Sequence, residues 1–531
     1  MMQRNWLSRL LCGILTSCLV LSVGTVRALI ASDYLTAGVD SARTGWMTDE
    51  KVISKANASG IHLLWKTKLP SKPREMHNLF SPLIAQKVRT SAGEKEVAVV
   101  AGVSDQLWGL DAKTGEVLWE NSFQIAGLTG QGPQSGILCP GGQTAVPVLQ
   151  KLQDGVYKIW ALGGDGRIRQ IDAATGKDLA PPEKFAPPAG KAYALNLVGD
   201  FIYTVQAQGC GGATYQLDAF NIKTHRTTAL YPGGGGLWGR RGAAVDTEGR
   251  VYEGTGDGPY DPEGKQLGNV LFQARPDENG QLQMLGWFAP PNANYLYKHD
   301  LDMNVTPFAL NYSGRKFLIG TSKECKLWLL DRDNMGGGEA AAHRQTLDTS
   351  GLICNDRQVF DVSGVWGSPS GYINTRNEAW VYVPFWGPKS TTFHPRTTYA
   401  PAPKRGGVAA FTIQQTGGKW KWVPRWLSED IDVGEETLIA NDIVFTYGSG
   451  ENTSQGSGKE RAWDQPPLVG TRQALSTHAT LYALDAQTGK TLWSSRDEIT
   501  SWNHFSGITV ANGRIYIGTY DGTTWCYGIS Q

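Results

Sequence analysis

The chain has 531 residues and a mass of 57.7 kDa, and its 50 basic and 49 acidic residues leave a net charge of +1. That balance excludes the basic excess of a nucleic-acid binder, and 40% hydrophobic residues exclude a disordered chain. Length alone suggests about three domains, but 65 glycines with 19 Trp and 19 Tyr point instead to many short strands and tight turns in one large all-β body.

The first element in chain order is an address. Arg4 and Arg9 flank a short start, and Leu10 to Val26 is uncharged and nearly all apolar or small. This is the pattern of a signal peptide, with cleavage after Ala28 or Ala31. Residues 1–31 are expected to be removed, and residues 32–531 to form a single domain that is periplasmic or secreted. An uncleaved anchor is the alternative, but the apolar run is marginal for a spanning helix. A lipoprotein cut at Leu15-Thr16-Ser17-Cys18 fits less well, because the apolar stretch continues past Cys18. Cleavage leaves Cys139, Cys210, Cys325, Cys354 and Cys526, an odd number, so at least one is unpaired within the chain. Export permits disulfides, and Cys325 with Cys354 is a candidate pair. No Cys-x-x-Cys-His occurs, which argues against attached c-type haem.

A repeat sets the fold. Leu107-Trp108-Gly109-Leu110-Asp111-Ala112-Lys113-Thr114-Gly115 continues to Trp119, and Leu481 to Trp493 repeats it almost letter for letter. Ile171 to Lys177 is a third copy. Each copy reads as a hairpin: an alternating strand, an Asp-Ala-x-Thr-Gly turn whose glycine supplies a positive φ, and a return strand ending in an aromatic. Outer-strand ends fall near Trp65, Trp119, Leu179, Leu230, Trp287, Leu347, Trp422 and Trp493. Their spacing exceeds the roughly 40 to 50 residues of common propeller blades, so some connections are long. Leu63-Leu64-Trp65 is an outer strand with no hairpin before it, while the strands around Arg514–Gly518 and Thr524–Tyr527 have no outer strand after them. Ring closure resolves both, and the expectation is an eight-bladed β-propeller closed by its N-terminal strand.

The segments that open the inner strands should converge on one mouth of the channel. They begin with His77–Pro82, Pro133–Gly136 and Tyr193–Leu195, followed by Gly236–Gly239, Asp302–Pro307 and Gly364–Pro369, and end with Asp432–Glu435 and Asn503–Gly507.

The Asp-Ala-x-Thr-Gly-x-x-x-Trp repeat resembles the tryptophan-docking motif of pyrroloquinoline quinone (PQQ) dehydrogenases, which PQQ-like propellers without a cofactor also use. Four local segments extend the resemblance. Gly235-Gly236-Leu237-Trp238-Gly239 looks like the segment whose Trp lies under the quinone. Glu253 to Tyr260 resembles the segment that supplies a calcium ligand, here Asp257. Lys298 to Pro307 resembles the segment of the catalytic aspartate, here Asp300 with Asp302 as the alternative; Asp300 would also bind the metal. Ser322 to Arg332 matches the segment whose basic residue, here Lys323, contacts the quinone oxygens. Trp366 is a further candidate cofactor contact. A carboxylate can take the proton of an alcohol, and a cation favours charge developing on quinone oxygens. Two departures stand beside these matches. The calcium-binding glutamate should fall near Val205–Gly212, where there is no acid, and no vicinal cysteines occur.

Two functions follow from the resemblance. One is an exported oxidoreductase that uses PQQ and calcium to oxidise an alcohol or sugar and passes electrons to a separate acceptor. The other is a cofactor-free propeller that serves as a scaffold for an envelope protein partner. No phosphate-binding loop or His-Glu-x-x-His motif is present, and the eight histidines lack zinc-ligand spacing.

Overall fold

The computed structural model describes residues 32–123, 125, 136–256, 258–263, 265–336, 345–455 and 469–530. The proposed signal segment, Asp257 and most of Pro133–Gly136 lie outside them. Strands dominate because apolar and β-branched residues alternate in short runs between glycine turns. They form eight propeller sheets of four antiparallel strands each, to which the sixth adds the short strand Thr397–Thr398, parallel to Lys419–Leu427. Blade 1 runs from Leu83 to Ser122, blade 2 from Val148 to Lys184 and blade 3 from Asn196 to Leu230. Blade 4 runs from Ala244 to Phe288 and carries a small inserted hairpin, Tyr260–Asp261 with Gln266–Leu267. Blades 5, 6 and 7 span Phe308–Thr349, Ser370–Leu427 and Gly434–Ser494. Blade 8 takes Thr509–Ala511, Arg514–Gly518 and Thr523–Gly528 from the C-terminal end and its outer strand, His62–Lys68, from the N-terminal end. Lys66 pairs with Trp525 and Thr67 with Thr524, so the ring closes as the orphan strand required. All eight expected outer-strand ends lie in or next to an outer strand. Blade 2 departs at its other edge: its inner strand opens only at Val148, well past Pro133–Gly136.

The repeated turn explains how neighbouring blades lock. Trp65 donates its indole N–H to the Ala112 carbonyl at 3.1 Å, Trp119 to Ala173 at 2.9 Å and Trp426 to Ala486 at 2.9 Å. Each ring lies over the glycine of the same turn, Gly115, Gly176 or Gly489. In blade 6 the docking residue is Trp426, four residues beyond the Trp422 suggested by spacing. Trp422 instead meets Phe411 edge-on at 6.0 Å.

Gly489 has a φ of +82°, and a Cβ there would meet Trp426 Cδ2 at 2.5 Å. Gly489→Ala should therefore cost about 2 kcal/mol or more, combining left-handed strain with loss of docking. Gly249→Ala is the control, because Gly249 has a φ of +75° and open space around it; it should cost only about 1 kcal/mol. Equal losses in urea unfolding would remove docking as the cause.

The segment 32–47 runs around the inside of the ring. Ser32 N–H donates to Asn512 of blade 8, and Tyr34 exchanges backbone bonds with Ile84 of blade 1. Leu35 then accepts from Leu149, Ser41 from Val245, Ala42 from Ala309 and Thr44 from Gly371, while Gly45 accepts from Ile439 and Met47 donates to it. Blade 3 is met through Leu195, whose carbonyl accepts from Thr36 and Arg43. The strap thus bonds to every blade in turn. Arg43 and Arg241, each 1% exposed, anchor it in the lumen. Arg241 donates to the carbonyls of Pro369 and Thr437 at 2.9 and 2.7 Å.

Two disulfides are formed, Cys325–Cys354 with Cα atoms 5.4 Å apart and Cys139–Cys210 at 5.5 Å. Cys526 is a free, buried thiol. Among the described residues, no helix is long and apolar enough to cross a membrane.

Candidate functional site

The opening segment of blade 5 brings two acids and a base together. The short helix Ala293–Lys298 ends just before Asp300, which adopts a φ of +55°. An aspartate tolerates this left-handed turn better than a β-branched residue. The turn leaves Asp300 6% exposed, with Asp302 fully buried two residues on. Lys323, beyond the second strand of the same blade, places its ammonium 2.5 Å from Asp300 Oδ1 and 2.8 Å from Asp302 Oδ2. It also lies 4.3 Å from the centroid of the Phe360 ring. Burial pushes the Asp300 carboxyl up to about 8; Lys323 opposes that rise and Asp302 adds to it.

Blade 4 supplies the adjoining wall. The Gly256 N–H donates to the Gly236 carbonyl at 2.9 Å, and a Cβ on Gly256 would run into Asp302. The backbone between Trp238 and the acid pair is therefore continuous and tightly packed. Trp238 is half-buried, and the ammonium of Lys191 sits 5.0 Å from the centroid of its ring. Tyr193 packs beside it at 6.5 Å. Lys191 is 2% exposed and donates to the Ile137 carbonyl at 3.4 Å. Burial, then repulsion from Arg240, lowers its pKa to about 7. Arg240 lies on Phe505 and over Trp366. Trp366 itself is 5% exposed and stacks on Trp386 at 5.0 Å. Glu253 is the acid described in the segment that also contains Asp257, and burial pushes it up to about 8.

Blades 7, 8 and 1 add an ionisable cluster. His504 Nδ1 lies 2.5 Å from Glu451 Oε2, and Arg472 lies 3.2 Å from the same oxygen. Arg472 comes from the second short helix, Val469–Leu475. His77 meets His504 edge-on at 4.7 Å. Burial, reinforced by Arg472, Arg240 and Lys191, holds His504 well below the usual imidazole range. Glu435 accepts from the Tyr447 hydroxyl at 2.6 Å.

The sequence reading picked out Asp300, Lys323, Trp238 and Trp366 but missed Lys191, Arg240, Glu451 and Arg472. A signal was present for two of these. Arg240 follows Trp238-Gly239 directly, and Lys191 stands two residues before Tyr193, so both adjoin opening segments already recognised.

Calcium and quinone fare differently here. Among the described residues, no group of three or more His, Cys, Asp or Glu side chains is arranged to hold a metal ion. The two carboxylates of blade 5 already share the Lys323 ammonium, and Cys210, in the segment expected to hold an acid, is in a disulfide. The described residues alone therefore do not assemble a calcium site, and the proposed ligand Asp257 lies outside them. Trp238 and Tyr193 offer aromatic surface beside the buried cation Lys191 and the half-buried cation Arg240, which is the chemistry that a planar anion requires.

No family model matches the chain, and no curated protein matches it either. Solved structures do. A quinohemoprotein alcohol dehydrogenase from Comamonas testosteroni aligns with a TM-score of 0.52 at 15% identity, over 94% of this chain and 80% of that one. The quinohemoprotein alcohol dehydrogenase ADHIIG from Pseudomonas putida HK5 gives 0.53 at 14%, over 94% and 80%. A europium-containing methanol dehydrogenase gives 0.53 at 15%, over 93% and 89%. The chain therefore has the eight-bladed propeller fold of quinoprotein alcohol dehydrogenases. At these identities the likeness is one of fold.

Proposed function

We propose that the protein is an exported quinoprotein-type oxidoreductase acting on an alcohol or sugar at the blade 4–blade 5 wall of its channel. The observation that carries this reading is the clamp of Lys323 on Asp300 and Asp302, beside the Trp238 segment. Trp238 would hold a quinone by its face, with Lys191 and Arg240 near its anionic groups and Lys323 near its oxygens. A bound quinone supplies a two-electron acceptor. Asp300 is the proton acceptor: its ionised Oδ takes the substrate hydroxyl proton. Lys323 holds the carboxylate in place and balances its charge. Asp302, the fully buried partner, raises the basicity of Asp300 by like-charge proximity. Electrons leave to a separate acceptor. Calcium, with Asp257 and Asp300 as its ligands, remains a separate part of the proposal, and Asp257 lies outside the described residues.

The test is a titration of the purified chain with PQQ, with and without calcium, followed by quinone absorbance and tryptophan fluorescence. Saturable binding followed by alcohol- or sugar-dependent reduction of a dye is expected. No binding under either condition would sink the reading. It would favour the second one, a scaffold propeller, which draws on the absence of an acid at Val205–Gly212 and on the Lys191 ammonium over the Trp238 ring.

A further inference from the structure

A cleft of about 1020 Å³ opens between blades 6 and 7, and none of its lining residues comes from blade 4 or blade 5. Blade 6 contributes Pro401 and Arg405, which follow the added strand Thr397–Thr398, and blade 7 contributes its short outer strand, Thr491–Ser494. Trp493 on that strand closes the repeat Leu481–Trp493, yet it has no turn to dock on. Trp65, Trp119 and Trp426 each donate to an alanine carbonyl in the turn of the next blade. Blade 8 has no such turn, because its last two strands come from opposite ends of the chain. Trp493 meets Tyr527 at 5.4 Å instead and stays half-buried, and its indole N–H has no acceptor among the described residues. Other polar groups of the cleft are unspent in the same way. The Tyr482 hydroxyl and the Arg496 guanidinium make no hydrogen bond among the described residues. Asp432 spends one oxygen on Arg405 at 3.1 Å, and exposed Asp497 has only His478 near it, at 3.6 Å. Free donors and free acceptors thus line one cleft. An anion would use the donors and face the carboxylates, and a cation would do the reverse; a hydroxyl donates and accepts at once and uses both. Trp and Tyr rings pair an apolar face with a polar tip, which suits a ring with C–H faces and O–H edges. The volume lies at the upper end for small-ligand pockets, enough for more than one such ring.

We propose that this cleft binds a neutral oligosaccharide, with Trp493 and Tyr482 as its aromatic contacts. The site does not rest on the oxidoreductase reading, because no residue of the Asp300 wall takes part in it. It would hold the protein on a glycan chain whichever function the channel serves.

The experiment uses the full chain, with calorimetry as the readout. The probes are three neutral chains (maltohexaose, cellohexaose and mannohexaose), the acidic hexagalacturonate and the basic peptide hexalysine. At least one neutral chain should bind the parent with a Kd below about 1 mM, and more tightly than either charged probe. Trp493→Leu should weaken that binding about tenfold or more, because it removes the aromatic face. Tyr482→Phe should weaken it about threefold or more and melt with the parent, since the hydroxyl it removes has no partner to lose. Added PQQ should leave the affinity unchanged, whether or not PQQ binds, so failure of the oxidoreductase reading does not touch this result. No binding of any neutral chain overturns the proposal, as does unchanged affinity in both variants. Tighter binding of hexalysine also overturns it, by making the cleft a docking site for a basic peptide, and tighter binding of hexagalacturonate does so by selecting an anion. Displacement by PQQ overturns it by placing the sugar in the channel. Where Trp493→Leu melts well below the parent, Tyr482→Phe alone decides: unchanged affinity overturns the site and weakened affinity upholds it.

Discussion

A chain that begins at Leu69 is expected to aggregate rather than fold. It lacks both the strap at 32–47 and the strand His62–Lys68. Without that strand, Thr523–Gly528 becomes an open edge six residues long whose backbone groups have lost their partners. Exposed apolar edges of this kind recruit other chains. The docking of Trp65 on Ala112 and Gly115 is lost with it, so blade 8 no longer locks to blade 1. A chain that begins at Thr48 separates the two effects. It keeps the closing strand but loses the strap, and with it the acceptors of Leu149, Val245, Ala309 and Gly371 in the lumen. Each buried N–H left unpaired costs about 1–3 kcal/mol less whatever entering water restores, so this chain should stay monomeric and melt well below the parent. Size-exclusion chromatography and near-ultraviolet circular dichroism distinguish the outcomes. A monomeric, native-like chain starting at Leu69 would show that closure by this strand is dispensable.

The propeller was legible because its signal is repeated. Asp-Ala-x-Thr-Gly turns recur where a positive φ and an aromatic neighbour are both needed, and an orphan strand at one end matched an incomplete sheet at the other. The clamp of Lys323 on Asp300 and Asp302 was legible only as residues singled out segment by segment; that one ammonium touches both acids depends on the left-handed turn at Asp300, which sequence does not announce. The strap was not legible at all. Residues 32–47 make mostly single backbone hydrogen bonds to successive blades, and such bonds leave no pattern in side chains. Lys191 and Arg240 were overlooked for a related reason: a charged residue in a loop usually faces water, and only the ring of neighbouring blades buries Lys191 and half-buries Arg240. The pair Cys139–Cys210 joins loops of different blades, so spacing along the chain held no information about it.

The oxidoreductase reading makes its largest kinetic demand on Asp300. Its carboxyl is pushed up to about 8 by burial, so near neutral pH most of it carries a proton and cannot accept another. Turnover should therefore climb about tenfold per pH unit below that value and level off above it. The neighbours give the sign of two further shifts. Lys323 lowers the Asp300 value, so Lys323→Met should move the rise to higher pH. Asp302 raises it, so Asp302→Asn should move the rise to lower pH. Asp300→Asn keeps the shape of the side chain and its hydrogen-bonding reach but cannot take a proton; it should lower turnover by roughly 100- to 10,000-fold while quinone affinity, read by fluorescence, changes little. Trp238→Ala should do the opposite and weaken binding first, because it removes the aromatic face rather than the base. Rates measured from pH 6 to 10 with a dye acceptor test all four variants together. A profile flat across pH 8 in the parent, or an Asp300→Asn enzyme that retains more than a tenth of the parent's turnover, would take the base away from Asp300. If Asp302→Asn alone abolished turnover, the base would be the fully buried aspartate of the pair, and Asp300 would be the residue that positions it through Lys323.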